Sequence, residues 1–186
     1  FCYDPHKKVD DTPYGGHPGL LIKAEPVALA VESLDLTSAA AIIVTEPSGV
    51  PFTQASAEEL AAFDELVFIC GHYEGIDHRF EESFATHVFS IGDYVLSNGE
   101  IPAMVMADAV IRTLPGVLGS PESLDSDSFS GEGLSAPNYT RPEVWRGRPI
   151  PAVLKSGNHA RIEEWRKNES ERVTRTRRPD LLSPKD

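Results

Sequence analysis

The chain has 186 residues, 40% of them hydrophobic, and a formal net charge of −12. This composition supports a buried core, and because the sequence has neither a long apolar run nor a charged-then-apolar leader, we expect neither membrane insertion nor secretion. The two cysteines and six histidines show no disulfide framework and no zinc-ligand spacing, so we predict no metal site and a reducing, cytoplasmic location. Since the first residue is Phe1, we expect a fragment or a processed product.

The charge is unevenly distributed along the chain. Residues 1–140 carry 5 Lys and Arg against 22 Asp and Glu, a net charge of −17, whereas residues 141–186 carry 12 against 7, a net charge of +5. Clustered Arg and Lys beside an acidic body are typical of a segment that contacts phosphates. A solvated helix face explains such a cluster equally well, so the charge alone leaves both interpretations open.

Three strands are predicted in the first two thirds of the chain. Residues 39–45 are small and β-branched and predict the first strand, while the Pro- and Gly-containing segment 46–51 predicts a loop after it. Apolar runs at 66–70 and 86–91 predict two further strands.

Helices are predicted between and after these strands. Ser56 and Glu59 match a capping box, which predicts a helix from there to Leu66. Further helices are predicted near 77–83 and over 101–114, where Pro and Gly end the second. Strands that alternate with helices indicate an α/β fold with a mainly parallel sheet.

Two of the predicted strands end in similar loops. Strand 66–70 is followed by Gly71-His-Tyr-Glu-Gly-Ile-Asp77, and strand 86–91 by Gly92-Asp-Tyr-Val-Leu-Ser-Asn-Gly-Glu100. Glycines at strand ends let the backbone approach a ligand closely, and ligands of open α/β sheets lie at the carboxyl ends of strands. The pair therefore predicts a small-molecule pocket, although either loop alone is also compatible with an ordinary turn.

The C-terminal part of the chain has a different composition. Residues 116–138 are rich in Ser, Gly, Pro, Asp and Glu and predict a long linker or functional loop. Asn158 can cap a helix that places Ile162 and Trp165 on one stripe, which predicts a small helical unit. The chain contains no P-loop, dinucleotide-binding or serine-hydrolase motif.

Eight sequence blocks, in this order, resemble the bacterial tRNA (guanine-N1)-methyltransferases of the SPOUT class. They are VDDTPYGG (9–16), CGHYEGID (70–77), SIGDYVLSNGE (90–100), DAVIRTLPGVLG (108–119), DSFS (127–130), YTRPEVWRG (139–147), SGNH (156–159) and RRPDLL (177–182). Their common order over nearly the whole chain makes the resemblance specific.

The resemblance implies a particular architecture. Residues 1–115 would form a trefoil-knotted α/β domain that binds S-adenosylmethionine, 116–138 a flexible linker that carries the catalytic Asp, and 139–186 a helical tRNA-binding domain. It further implies an opening strand and helix before Phe1, a homodimer whose active sites are shared across the interface, and possible dependence on Mg²⁺.

Functional residues follow from the same resemblance. Asp127 is implied as the base that takes the proton from N1 of guanine, and Arg112 as a residue beside that guanine. The methyl-donor pocket would consist of Pro47, Gly71, Tyr73, Ile91, Gly92, Asp93, Tyr94, Val95, Leu96 and Gly99. The positive charge of residues 141–186, rather than the resemblance, leads to the predicted RNA contacts: Arg141, Arg146, His159, Arg166, Arg177 and Arg178. The alternative for an individual arginine is an ion pair with Glu163, Glu164 or Asp180 within the helical unit.

Four residues depart from the pattern of that family. His17 and Asn98 stand where glycine is usual, Glu46 replaces a small polar residue, and His72 replaces a frequent arginine. Asn tolerates the left-handed conformation, so Asn98 is expected to preserve its turn while adding bulk.

The predicted reaction is methyl transfer from S-adenosylmethionine to N1 of the guanine at tRNA position 37. Two alternatives remain from the sequence: a SPOUT methyltransferase that acts on another RNA, and a non-catalytic RNA-binding module. Binding of the methyl donor distinguishes the second alternative, and the identity of the methylated nucleotide distinguishes the first.

Overall fold

A computed structural model describes residues 1–3, 5–117, 127–129, 131 and 133–182. The chain divides into two compact units, Phe1–Val117 and Leu118–Asp186, here called unit 1 and unit 2. Every helix among the described residues is too short or too polar to span a lipid bilayer.

Unit 1 contains a three-stranded parallel sheet with helices between its strands. A short antiparallel pair, β1 (Asp10–Asp11) and β2 (Leu21–Ile22), precedes it. The sheet has the order β4-β3-β5, and both pairings are parallel, which confirms the predicted α/β class with a mainly parallel sheet. The elements are α1 (Ala24–Glu32), β3 (Ala40–Pro51), α2 (Gln54–Leu60), β4 (Glu65–Cys70), α3 (His78–Phe84), β5 (His87–Ser90) and α4 (Glu100–Thr113).

Strand β3 is longer than predicted. The expected loop at 46–51 is wrong, because the chain pairs with β5 again at its far end: both Thr45 and Val50 align with Phe89, and the residues between them form an irregularity in the ladder. A Cβ on Gly49 would lie 2.7 Å from the backbone N of Phe89. Glycine therefore lets this bulge lie directly against β5.

Helix α2 starts earlier and ends earlier than predicted. Its N-cap is Thr53, whose Oγ1 accepts a hydrogen bond from the Ser56 backbone N–H at 3.3 Å, while Ser56 Oγ accepts one from the Thr53 N–H at 3.3 Å. The capping box thus pairs Thr53 with Ser56, and the prediction that paired Ser56 with Glu59 is wrong. The helix ends at Leu60 because β4 begins only five residues later, at Glu65.

Apolar side chains cover both faces of the sheet. On one face, α2 and α4 pack over a cluster of buried residues: Ala41, Ile43, Ala57, Leu60, Phe89, Met106 and Val110. On the other face, α1 and α3 contribute to a second cluster: Ala28, Val31, Val44 and Phe80. Neighbouring Ile43 and Val44 belong to different clusters because successive strand residues face opposite sides. A sheet that is buried on both faces leaves its strand ends as the place for a ligand.

Unit 2 combines a small hairpin with one long helix. The hairpin is β6 (Val144–Trp145) and β7 (Arg148–Pro149), and a 3₁₀ turn (Ala152–Lys155), α5 (His159–Arg177) and a second 3₁₀ turn (Pro179–Leu182) follow. Asn158 Oδ1 accepts a hydrogen bond from the Arg161 N–H at 3.2 Å, which confirms the predicted cap. The hairpin was missed because two-residue strands show no periodicity.

A short segment before the hairpin is anchored on α5. Leu134 donates its backbone N–H to Thr174 Oγ1 at 2.9 Å, and Ser170 Oγ donates to the Leu134 carbonyl at 2.6 Å. A Cβ on Gly133 would lie 2.6 Å from Thr174 Oγ1. The end of the segment predicted as a linker therefore packs as part of unit 2.

Candidate functional site

A cleft lies in unit 1 where the two glycine-containing loops follow β4 and β5. Among its lining residues are nine of the ten that were assigned to the methyl donor: Pro47, Gly71, Tyr73, Ile91, Gly92, Tyr94, Val95, Leu96 and Gly99. The tenth, Asp93, is exposed in the same loop and does not line the cleft. Residues far apart in sequence, such as Thr45 and Ser90, thus meet in one place.

Gly99 joins three parts of the cleft at the start of α4. Its N–H donates to the Gly71 carbonyl at 2.9 Å, and its carbonyl accepts from Thr45 Oγ1 at 3.2 Å. A Cβ at this position would lie 2.4 Å from Thr45 Oγ1 and 2.7 Å from the Cα of Cys70. Only glycine allows α4 to begin in contact with the ends of β3 and β4.

The loop after β5 is held by hydrogen bonds within itself. Ser90 Oγ accepts from the Gly92 N–H at 3.2 Å and donates to the Gly92 carbonyl at 3.1 Å, and Tyr94 Oη donates to the Ile91 carbonyl at 3.1 Å. Gly92 has a φ of 149°, which favours glycine. These contacts fix the main chain of the loop, while the Val95 side chain stays 83% exposed.

Two carboxyl groups meet at one edge of the cleft. Glu46, which lines the cleft, lies near Glu81 of α3. Burial, and then the neighbouring Glu46 carboxyl group, raise the pKa of Glu81 above its ordinary value. His78 Nδ1 lies 3.6 Å from Glu81 Oε1 and counteracts part of this shift.

A second pair links the loop after β4 to the start of α4. His72 Nε2 lies 2.5 Å from Glu100 Oε1. The backbone N–H of Glu100 itself, and then His72, lower the pKa of the Glu100 carboxyl. Burial, with a smaller contribution from Glu100, raises the pKa of the Cys70 thiol. A thiol that stays protonated is a poor nucleophile, so Cys70 is no candidate for covalent catalysis.

The two residues predicted to act on the guanine lie in different units. Arg112 is exposed in the last turn of α4, in unit 1, and Asp127 is exposed at the first described position of unit 2. From composition alone, Arg112 would be a cation at the end of a helix and Asp127 a solvated acid. Only the family resemblance identified them as candidates for acting on the guanine.

The predicted RNA contacts fall into two groups. Arg166 Nη1 lies 2.8 Å from Glu163, and Arg178 Nη2 lies 2.6 Å from Asp180 and its guanidinium lies over the Phe129 ring. Arg141, Arg146 and Arg177 form no ion pair with the described residues. His159 is the first residue of α5.

The described residues include no group of three His, Cys, Asp or Glu side chains that could hold a metal ion. We therefore assign no residue to Mg²⁺.

Comparison with known proteins identifies the family. Residues 1–184 match the family described as tRNA (Guanine-1)-methyltransferase TrmD. The protein named tRNA (guanine-N(1)-)-methyltransferase from Dehalococcoides mccartyi is 55% identical, and the match covers 98% of this chain and 74% of the relative. The protein of that name from Bacillus subtilis is also 55% identical, and the match covers 95% of this chain and 74% of the relative. The protein of that name from Geobacter sulfurreducens is 50% identical over 98% of this chain and 75% of its own. The chain therefore belongs to the tRNA (guanine-1)-methyltransferase family.

Proposed function

We propose that this protein transfers a methyl group from S-adenosylmethionine to N1 of the guanine at position 37 of tRNA. The observation that carries the proposal is the cleft of unit 1, where nine residues assigned to the donor from the sequence line one cavity. Membership of the family supports the reaction type and the tRNA substrate.

The cleft has the features that a bound nucleoside requires. Its walls combine residues of β3 and of the loops after β4 and β5, and they include aliphatic side chains such as Ile91, Val95 and Leu96. Main-chain donors and acceptors give a mostly apolar site its specificity, and apolar side chains cover the faces of an adenine ring. Because Glu46 also lines the cleft, its carboxylate would favour a positively charged ligand.

Methyl transfer from this donor needs a base. S-adenosylmethionine supplies an electrophilic methyl group on a sulfonium, so an N1–carbon bond forms as the sulfur–carbon bond breaks. The proton on guanine N1 must then leave, and the carboxylate of Asp127 would accept it. The Arg112 guanidinium would hold the guanine by hydrogen bonds.

A homodimer would complete the site. The cleft has a volume of about 210 Å³, whereas small-molecule sites typically have volumes of roughly 300 Å³ or more. Helix α4 leaves Ile101, Met104, Val105 and Ile111 exposed, and such an apolar helix face is typical of a surface that another chain covers. Both observations support a second subunit against unit 1.

Mixed dimers test the shared site. A protomer with Asp127→Asn is combined with one in which Gly92→Trp blocks the cleft. If the cleft and the base come from different subunits, each mixed dimer regains one working site. No recovered activity, with mixing verified by mass spectrometry, would assign the whole site to one chain.

The decisive test of the reaction is to map the methylated nucleotide. Purified protein is incubated with labelled S-adenosylmethionine and bulk tRNA, and the modified position is identified after nuclease digestion. We expect 1-methylguanine at position 37. A methylated base elsewhere would indicate another RNA site, and no methylation with retained RNA binding would indicate a binding module. The trefoil knot and the cytoplasmic location remain predictions from the sequence.

A further inference from the structure

The hairpin of unit 2 carries an exposed aromatic ring. Trp145, at the end of β6, has 58% of its surface exposed, and its neighbour Val144 has 52% exposed. The other tryptophan, Trp165, is only half-buried too, but its ring packs against Tyr139 at a centroid distance of 6.2 Å. No ring contact within the described residues covers Trp145 in this way, so its exposed ring surface is open to a ligand.

Basic side chains surround this ring. The Arg146 guanidinium lies over the Trp145 ring at 5.1 Å from its centroid. Arg148 pairs with Trp145 across the hairpin, and residues directly opposite in an antiparallel pair share one face. Neither arginine forms an ion pair with any described residue. Their charges are thus available to a ligand.

The hairpin geometry fixes the position of the ring. The two turn residues, Arg146 and Gly147, have φ values of 47° and 77°, as a two-residue turn of the tight hairpin type requires. The hairpin is tied to the following segment, since Ile150 donates its N–H to the Glu143 carbonyl at 3.0 Å and Lys155 forms an ion pair with Glu143. The one carboxylate of this segment is therefore already neutralised.

We propose that Trp145 is a stacking platform for an unpaired base of the RNA substrate, with Arg146 and Arg148 contacting the adjacent phosphates. This inference rests on the proposed function, because it takes tRNA as the ligand. An aromatic ring accepts the face of any base, and a base is accessible for stacking only where it is unpaired, as in a loop. Arginines beside such a ring supply the charge that tracks the backbone. An acidic protein surface would satisfy the arginines but leave the indole without a flat partner.

The test uses the fluorescence of Trp145 in the full-length protein. Trp165→Phe leaves Trp145 as the single tryptophan. The probes are an anticodon stem–loop RNA and a fully paired RNA duplex of the same length. We expect the stem–loop to quench the fluorescence, because a base stacks on the indole, and the duplex to quench it far less at equal occupancy.

Affinity measurements separate stacking from charge. Trp145→Ala should weaken stem–loop binding about 5- to 150-fold without changing the salt dependence, since stacking involves no counterion release. Trp145→Phe should retain much of the affinity, because phenylalanine also stacks. Val144→Ala is the matched control, since Val144 is similarly exposed on the opposite face of the hairpin, and it should leave affinity unchanged.

Other outcomes would contradict the proposed stacking of a base on Trp145. Unchanged affinity in Trp145→Ala, or an equal loss for the stem–loop and the duplex, would remove Trp145 from base recognition even when the wild type still methylates tRNA. A wild type that neither binds nor methylates tRNA would instead refute the proposed function. Equal thermal unfolding midpoints for Trp145→Ala and Val144→Ala would exclude a folding defect as the cause of a loss.

Discussion

The cleft of unit 1 and the basic surface of unit 2 are built in opposite ways. The loops of the cleft are fixed by hydrogen bonds of their main chain, as Gly99 shows by its contacts with Thr45 and Gly71. The basic surface of unit 2 consists of long, exposed side chains. Among the described residues of this unit, only Val173 and Thr174 are buried. A small ligand needs fixed geometry, whereas a polyanion needs charge that side chains can redirect.

The largest expected effect tests the proposed division of labour, in which unit 1 binds the methyl donor and unit 2 binds RNA. Asp127 belongs to unit 2, yet Asp127→Asn should lower the methylation rate by roughly 10² to 10⁴, because it removes the acceptor for the N1 proton. Single-turnover methylation measures the rate, and binding of donor and tRNA should be retained. A rate within about threefold of wild type, on the order of 0.7 kcal/mol, would exclude Asp127 as the base.

A second change tests whether the cleft depends on the close approach at Gly99. Gly99→Ala should cost roughly 1–3 kcal/mol of unfolding free energy, because the new Cβ overlaps Thr45 and Cys70, and should weaken donor binding at least several-fold. Urea unfolding and calorimetry with S-adenosylmethionine measure the two effects. Gly131→Ala is the control, since a Cβ there meets nothing within 4 Å. Equal effects of both substitutions would contradict the role of Gly99.

A third set of changes sharpens the charge argument within unit 2. Arg141→Gln and Arg177→Gln should each lower the slope of log affinity against log salt by about 0.7–0.9, because each of these arginines is predicted to contact a phosphate. Arg166→Gln should change the slope less, since Glu163 already neutralises Arg166. Filter binding of tRNA at several salt concentrations gives the slopes. Identical slopes for the three variants would show that the ion pair does not decide which arginines contact RNA.

The smallest expected effect concerns the carboxyl pair at the cleft. Because the folded state raises the pKa of Glu81, the stabilisation from its protonated form is fully present below the ordinary value of 4.5 and is lost as the pH rises through the folded value. Glu81→Gln should therefore stabilise the protein at pH 7, by less than about 1 kcal/mol because the pair is partly exposed. Thermal unfolding between pH 4 and pH 8 checks this, and a destabilised variant at pH 7 would contradict it.

The sequence predicted the parallel sheet and most of the cleft because both depend on local patterns. Apolar runs defined β4 and β5, and the glycines after them marked the loops that meet in the cleft. The Asn158 cap was equally local, since its side chain bonds three residues ahead.

Features that depend on distant contacts could not be predicted in this way. The extension of β3 through 46–51 depends on pairing with Phe89, about forty residues away, which overrides the Pro and Gly of that segment. The pair of Glu46 and Glu81 joins a strand to a helix with no sequence signal. For the same reason, the roles proposed for Arg112 and Asp127 came from the family resemblance rather than from the residues themselves.

The main-chain hydrogen bonds that hold the cleft loops affect which variants an inhibitor would select. A molecule that fills the cleft in place of the proposed methyl donor, by bonding to backbone amides and carbonyls, would contact groups that all residues except proline carry. Most single substitutions in its walls would leave those groups in place, and a substitution at Gly99 that removed them would also disturb the ends of β3 and β4. Escape from such a molecule would therefore require changes that damage the enzyme as well.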